Sequence, residues 1–384
     1  MSWKRWNYLF FTMFLASTIS IISTCEYLLY RFNENLDINQ SVEKQINENI
    51  IYGRLLLGQD AIYKIKMTKK LKPEIVAVGS SRVMQFRQEF FNNTLTFYNA
   101  GGVMPNIDRG IEFINDITKE YTPKIVIIGI DLWSLNGNFN EKDDIKRDLI
   151  ESNLIQRRLF LYGSLFNNLT NGNIRKLGAG LFSTVNYQEL LDPFEHRRTI
   201  GLLAAINGDG FRSDGSYQYG GIISGKVIND KYFKDTHRRI VNGVSRFEYA
   251  SEVDRKRLNK IIKLIELLKN KGIQVVVFAP PFAHEIYEAM NNSQNHKKFL
   301  QSFHMSIKQV CKQENVNFYD FSDVTWYGSN DNETIDGFHG SETSYAKLAL
   351  AMKNDSILGR YINKDQIIQY ISKTNNPKYC IPIQ

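Results

Sequence analysis

The residues best suited to chemistry are a serine, a histidine and an aspartate that lie far apart in the chain. Ser81 ends the run Gly79-Ser80-Ser81, directly after the apolar segment 75–78. Asp336 and His339 are three residues apart, a spacing that lets the carboxylate reach the imidazole Nδ1 on a turn or short helix. Acyl transfer through serine needs a hydroxyl on a tight loop, a histidine that accepts its proton and a carboxylate that orients the histidine. The three residues therefore predict a Ser81–His339–Asp336 triad.

Each of these residues also has a structural interpretation. Ser81 could cap a helix that follows the strand, and the adjacent Ser80 could be the nucleophile in its place. His339 could be a hydrogen-bonded structural histidine, although a carboxylate at this spacing favours a catalytic role.

Apolar runs and helical patterns predict the elements that position these residues. Runs rich in β-branched residues predict buried strands over residues 75–78, 95–98, 125–128, 274–278 and 316–321. Apolar residues at helical spacing predict helices over 107–117, 253–268, 296–313 and 344–352. Because strands that alternate with helices form parallel sheets, we expect a three-layer α/β/α sandwich around a central parallel sheet of about five strands.

The chemically suited residues follow the predicted strands. The carboxyl ends carry Ser81, Asn99 to Gly102, Asp131 and, beyond the fifth strand, Asp336 and His339. Sites in parallel sheets form at these ends, so we expect the residues to converge at one edge of the sheet.

These blocks resemble, in their order and position, those of the SGNH (GDSL) hydrolase superfamily. Gly79-Ser80-Ser81 matches the first block with Ser80 in place of its aspartate, Asn99-Ala100-Gly101 matches the second, and Asp336-x-x-His339 matches the last. The resemblance implies a flavodoxin-like sheet, Ser81 as the nucleophile, and Asn99 and Gly101 near the oxyanion hole.

Asp131 departs from the superfamily pattern. In Gly129-Ile130-Asp131-Leu132 it stands where the third block has an asparagine that donates to the oxyanion. An ionised carboxylate there would oppose the developing negative charge. Either Asp131 pairs with Arg82 or another positioning group, or the hole relies on the backbone N–H groups of Ser81 and Gly101. Arg82 could equally bind an anionic substrate.

Within the superfamily, the chain resembles membrane-anchored proteins of bacterial envelopes. Examples are the D-alanine transfer protein of teichoic acid modification and proteins of polysaccharide O-acetylation. They share an N-terminal span, a Gly-Ser-Ser type loop and a strand that ends in Pro-Pro, as at Pro280-Pro281. The resemblance covers roughly residues 70–135 and 252–355.

This resemblance implies a serine acyltransferase that works through an acyl-enzyme. Its partners would be an acyl donor, a glycan or polyol-phosphate polymer as acceptor, and a membrane-bound O-acyltransferase that delivers the acyl group across the membrane. An esterase or deacetylase acting on glycan or lipid esters would use the same triad. The aspartate at position 131 also leaves open a non-catalytic assembly protein that keeps the fold.

The N-terminus predicts a membrane anchor. Residues 6–25 carry no charge, and a run of about 20 such residues can span a hydrocarbon core as a helix. Lys4 and Arg5 precede it, which favours a cytoplasmic N-terminus and an exported body in the periplasm or on the outer face of a bacterial cell membrane. A cleaved signal peptide or a lipoprotein modified at Cys25 are the alternatives.

Composition and charge limit the other function classes. Of the 384 residues, 43% are hydrophobic and 23% charged, as in folded proteins, and the net charge of +8 favours anionic polymers or surfaces. No nucleic-acid-binding module and no Cys/His zinc spacing occurs in the sequence, so we expect no nucleic acid, metal or cofactor. Of the three cysteines, Cys311 and Cys380 could form a disulfide.

The predicted organisation has four parts. They are an anchor (1–30), a stalk or linker (31–69), an α/β domain (70–360) and a C-terminal tail (361–384). An insertion at about 135–250, Gly- and Tyr-rich at its centre, would either cover or border the site or pack irregularly against the core.

Overall fold

The computed structural model describes residues 2–58, 60–139, 154–170, 199–223 and 231–382. The chain divides into two compact units. The first comprises Met1–Gln59 and Asp144–Gly210, and the second comprises Asp60–Asp143 and Phe211–Gln384. The predicted insertion at 135–250 contributes to both units, and its residues 140–153, 171–198 and 224–230 lie outside the described part of the chain.

The helices of the described residues are numbered in chain order. They are α1 (Trp3–Arg31), α2 (Ile38–Glu48), α3 (Asp60–Leu71), α4 (Ile107–Ile117), α5 (Leu154–Thr170), α6 (Leu202–Asn207), α7 (Gly220–Ile223), α8 (Lys234–Asn242), α9 (Arg255–Asn270), α10 (His284–Asn291), α11 (Lys297–Gln313), α12 (Glu342–Ala351) and α13 (Lys364–Lys373).

The strands are numbered in the same way. They are β1 (Ile51–Tyr52), β2 (Ile75–Gly79), β3 (Phe97–Gly101), β4 (Ile125–Gly129), β5 (Thr199–Ile200), β6 (Asp209–Phe211), β7 (Tyr217–Tyr219), β8 (Gln274–Ala279) and β9 (Asn317–Asp320).

The N-terminal helix α1 has 29 residues and is long and apolar enough to cross a membrane. At ~1.5 Å per residue it is about 43 Å long, which exceeds the ~30 Å thickness of a hydrocarbon core. The predicted span therefore exists as one continuous helix, and it continues past the apolar stretch.

The first unit is held together where α1 leaves that stretch. Leu28 and Leu29 of α1 are buried in one cluster with Leu161 and Leu165 of α5. The buried carboxylate of Glu34 accepts hydrogen bonds from the main-chain N–H groups of two other segments, at Leu55 (2.9 Å) and Leu202 (2.8 Å). In this unit β1 also pairs in parallel with β5.

The segment predicted as a stalk, residues 31–69, carries regular structure. It contains α2, β1 and most of α3, and Ile38 and Val42 are buried. Its polar composition reflects the exposed face of the amphipathic helix α2, which begins with a capping box formed by Asp37 and Gln40.

The second unit contains a five-stranded parallel sheet in the order β3-β2-β4-β8-β9. Every residue of β2 and β4 is buried, as expected for central strands of a parallel sheet, whereas the edge strand β9 is only partly buried. All five predicted strands are found. The second lies later than predicted, because Asn99 to Gly101 continue β3 although their types are typical of a loop.

The C-terminal segment is also part of this unit. Helix α13 occupies residues 364–373, and Cys380 and Ile381 are buried in one hydrophobic cluster with residues of β2, β4 and β8. The Glu342 carboxylate accepts the main-chain N–H groups of Cys380 (3.1 Å) and Ile381 (2.8 Å). Cys311 and Cys380 are both free thiols, so the possible disulfide is not formed.

Glycines at the ends of β2 and β4 make room for the loop that carries Ser81. A Cβ atom on Gly79 would lie 2.2 Å from Val83 Cγ2, and one on Gly129 would lie 2.4 Å from the same methyl group. Val83 is completely buried there.

We therefore expect Gly79→Ala to lower the free energy of unfolding by about 1–3 kcal/mol, the usual effect of overpacking a core. Val83→Ala removes the opposing methyl group, so the double variant should be more stable than the sum of the single effects predicts. Urea unfolding of the detergent-solubilised chain measures both quantities. Strictly additive effects would show that the two side chains do not compete for this space.

Candidate active site

Ser81 begins a short 3-10 helix, Ser81–Val83, immediately after β2. Ser80 caps this helix, because its hydroxyl oxygen accepts the main-chain N–H of Arg82 at 3.1 Å. The Ser80 side chain also acts to lower the pKa of the Asp131 carboxyl. Ser80 is therefore engaged in the loop, whereas half-buried Ser81 directs its hydroxyl at the imidazole of His339.

The structure brings the three predicted triad residues into one hydrogen-bonded chain. Ser81 Oγ lies 3.0 Å from His339 Nε2, and His339 Nδ1 lies 2.9 Å from Asp336 Oδ2. With the carboxylate accepting from Nδ1–H, the neutral imidazole leaves Nε2 as an acceptor for the serine hydroxyl.

A tight turn presents the carboxylate and the imidazole together. Asp336 Oδ1 accepts the main-chain N–H groups of Phe338 (3.0 Å) and His339 (2.7 Å), and the Ile335 N–H donates to the His339 carbonyl at 2.8 Å. Gly337 has φ +75°, a conformation that side chains rarely adopt, and a Cβ atom there would lie 2.7 Å from the ring of Phe233.

The same contacts keep Asp336 ionised. Burial raises the pKa of this carboxyl, but the charge of His339 and the hydrogen bonds from His339 and Phe338 outweigh burial and lower the pKa to about 2. The carboxylate is thus available at neutral pH to orient the imidazole and to stabilise its protonated form.

Arg82 and Asp131 form a buried ion pair. Arg82 Nη1 lies 3.1 Å from Asp131 Oδ1, and their side chains are only 1% and 4% exposed. Burial raises the pKa of Asp131 and lowers that of Arg82, and in each case the partner's charge opposes the change. Of the two arrangements left open by the sequence, the structure contains the pairing with Arg82, and Arg82 is not accessible to an anionic substrate.

The Arg82 guanidinium also connects the loops that carry the site. Its Nε donates to the Phe338 carbonyl at 2.9 Å and its Nη2 donates to the Pro280 carbonyl at 2.8 Å. The guanidinium carbon lies 3.7 Å from the centre of the Phe282 ring. One side chain therefore joins the loops after β2, β4 and β8 to the turn that carries His339.

Asn99 and Gly101 lie beside the nucleophile loop but are engaged with each other and with that loop. Asn99 Nδ2 donates to the carbonyls of Val83 (3.0 Å) and Phe86 (2.9 Å), and Asn99 Oδ1 accepts the Gly101 N–H at 2.8 Å. In this structure the Gly101 amide is therefore engaged by Asn99. The Ser81 amide, by contrast, donates to no described residue.

A further cation lies near the turn. The Arg246 guanidinium lies 5.1 Å from the Trp133 ring and 5.6 Å from the Phe338 ring, and its charge opposes the rise that burial causes in the pKa of Asp131. Phe338 in turn contacts His339, with ring centres 5.0 Å apart. No sequence signal distinguished Arg246, because its position depends on the fold of residues distant in the chain.

The described residues contain no group of three or more His, Cys, Asp or Glu side chains arranged to hold a metal ion. No protein-family model matches the chain, and no curated protein matches it significantly. The case for a function therefore depends on the geometry of the chain's own residues.

We expect Asp131→Asn to lower the free energy of unfolding by about 3–5 kcal/mol, because it leaves the buried Arg82 charge uncompensated. Asp116→Asn is the matched control. Its carboxylate pairs with Lys69 (3.0 Å) at the surface, so its loss should cost less than about 1 kcal/mol. Equal effects of the two substitutions in urea unfolding would contradict a structural role for the Arg82–Asp131 pair.

Proposed function

We propose that this chain is a membrane-anchored serine acyltransferase that modifies a cell-envelope polymer outside the cytoplasm. The observation that carries the proposal is the hydrogen-bonded chain Ser81–His339–Asp336 beside the carboxyl ends of parallel strands. The order of its sequence blocks supports an SGNH-type α/β/α sandwich around this sheet.

In the first half of the reaction, Ser81 Oγ attacks the carbonyl carbon of the acyl donor. His339 Nε2 takes the serine proton, and the imidazolium that forms is stabilised by the ionised Asp336. The Ser81 N–H is available to donate to the oxyanion of the tetrahedral intermediate. The intermediate collapses when the donor's leaving group departs with the proton from His339, and the acyl group remains on Ser81 as an ester.

In the second half, an acceptor hydroxyl gives its proton to His339 Nε2 and attacks the acyl carbonyl. Collapse of the second intermediate returns the proton to Ser81 Oγ and releases the acylated acceptor. Water in place of the acceptor would give hydrolysis. The helix α1 favours transfer, because a tether at the membrane raises the effective concentration of a membrane-side donor above what diffusion from solution supplies.

A glycan or polyol-phosphate polymer is the proposed acceptor. The net charge of +8 and the guanidinium of Arg246 near the His339 turn are suited to a polymer that carries phosphate groups. A membrane-bound O-acyltransferase as the source of the acyl group is proposed from the resemblance to envelope acylation proteins alone.

A non-catalytic assembly protein is the second candidate. The observation that favours it is that the Gly101 amide donates to Asn99. Of the amides of Ser81 and Gly101, only that of Ser81 has no acceptor among the described residues and is free to donate to an oxyanion. Oxyanion holes commonly use more than one donor, and loss of one donor costs ~10²–10³ in rate.

Labelling with a fluorophosphonate distinguishes the two candidates. We expect the wild type to be labelled, Ser81→Ala to be unlabelled and His339→Ala to be labelled far more slowly, because the imidazole accepts the serine proton.

Ser80→Ala is the matched control, since it removes the neighbouring hydroxyl but leaves the nucleophile, and it should keep most of the labelling. Equal labelling of wild type and Ser81→Ala would refute Ser81 as the nucleophile. A folded wild-type protein that takes no label would favour the assembly protein.

A further inference from the structure

Helix α5 has two apolar faces, of which only one is buried. Leu161 and Leu165 are completely buried in the core of the first unit. Ile155, Leu159 and Phe166 are 72%, 64% and 69% exposed. Their spacing of four and seven residues aligns the three side chains along one side of the helix, about 120° around it from the buried leucines. A helix that is apolar on both sides is unusual at a protein surface that faces only water.

The helix is attached to the end of α1. Arg158 Nη1 lies 3.1 Å from Glu26 Oε2, and the Tyr162 hydroxyl donates to the other oxygen of the same carboxylate. Tyr162 lies on the same side of α5 as the exposed stripe, because it follows Leu159 by three residues and precedes Phe166 by four. The stripe therefore borders the turn of α1 that contains Glu26.

Glu26 marks the boundary of the membrane. The uncharged residues 6–25 of α1 number 20. At ~1.5 Å per residue they cover about 30 Å, which is the thickness of a hydrocarbon core. Glu26 is the first charged residue after them, so its ion pair with Arg158 places α5 at the level where α1 enters the headgroup region.

We propose that α5 is a second membrane-binding element, which lies in the interface of the leaflet where α1 leaves the bilayer. Ile155, Leu159 and Phe166 insert between the headgroups and the first part of the acyl chains. Arg158, whose side chain is 41% exposed, stays paired with Glu26 at the level of the headgroups. The first unit is then held against the lipid by a helix in the plane of the interface as well as by the spanning helix.

The occupant of the stripe is lipid rather than another protein, because the stripe is continuous with a helix that is itself suited to lipid. In the apolar window of α1 no residue is buried, and the ion pair at Glu26 joins that surface to α5. The inference thus depends on α1 as a membrane span, and it does not depend on the proposed acyl transfer.

Photo-crosslinking of the full-length chain in vesicles tests the proposal. Single benzophenone-bearing residues replace Leu159 or Phe166 in protein reconstituted into phosphatidylcholine–phosphatidylglycerol vesicles, and mass spectrometry measures lipid adducts after illumination. Asn167, exposed on the same helix and about 100° around it from the centre of the stripe, is the matched control, and Phe14 in α1 is the control for insertion. Near-ultraviolet circular dichroism verifies that each variant is folded.

We expect lipid adducts at positions 159 and 166 to approach those at 14 and to exceed those at 167 about fivefold or more. Equal adducts at 167 and 159, or adducts to a second copy of the chain in place of lipid, would overturn the proposal. Adducts at 14 without adducts at 159 and 166 would overturn it while α1 remained a span. An absence of lipid adducts at 14 would contradict both the membrane span of α1 and the membrane contact of α5.

A second measurement does not depend on the photo-reactive residue. Leu159→Trp and Asn167→Trp add one indole each, and quenching by lipids brominated near the headgroup is measured as the difference from wild type. We expect the added tryptophan at 159 to be quenched several times more strongly than the one at 167. Equal quenching would contradict insertion of the stripe.

Discussion

The buried guanidinium of Arg82 constrains the site more than any other group in the second unit. A charge that is 1% exposed is tolerated only when it is paired and its donors are satisfied, and here the required partners lie on different loops. Asp131 supplies the countercharge after β4, Pro280 supplies a carbonyl after β8, and Phe338 supplies a carbonyl next to His339. A change in any of these loops would leave a buried donor unpaired. The 3.0 Å separation of Ser81 and His339 is therefore supported by a neighbour of each residue.

This constraint explains why an aspartate occupies position 131. Asp131 pairs with Arg82 and does not serve as an oxyanion donor. An ionised carboxylate has no proton to donate, so it would be unsuited to that role. The Gly101 amide is likewise used to hold Asn99, which binds the carbonyls of Val83 and Phe86 in the nucleophile loop. The loop is thus ordered by groups that could otherwise have contacted substrate. Because Asp131 and the Gly101 amide hold the nucleophile loop, they do not donate hydrogen bonds to the oxyanion. The acyl transfer proposed here therefore relies mainly on the triad and on the membrane tether.

The sequence predicts what depends on local pattern. The strand positions follow from short β-branched runs, and the meeting of Ser81 with Asp336 and His339 follows from their positions after those strands. The choice between Ser80 and Ser81 depends on the hydrogen bond from the Arg82 N–H to Ser80 Oγ, which two adjacent serines in a sequence do not reveal. Asn99 was expected beside the site, but its use as a clamp on residues 83–86 depends on contacts between distant segments. Ile38 and Val42, which are buried in α2, lie four residues apart, and this spacing is a helical signal. The polar residues around them obscure that signal in the sequence.

The acyl-enzyme on Ser81 is the central claim, and its direct measurement is mass spectrometry of the full-length chain quenched in acid within seconds of mixing with an activated acetyl ester. The account predicts an acetyl group on the peptide that contains Ser81, absent in Ser81→Ala and lost when a polymer bearing free hydroxyl groups is added before the quench. An acetyl group on Ser80, or turnover of the ester with no acetyl group on this peptide, would contradict it.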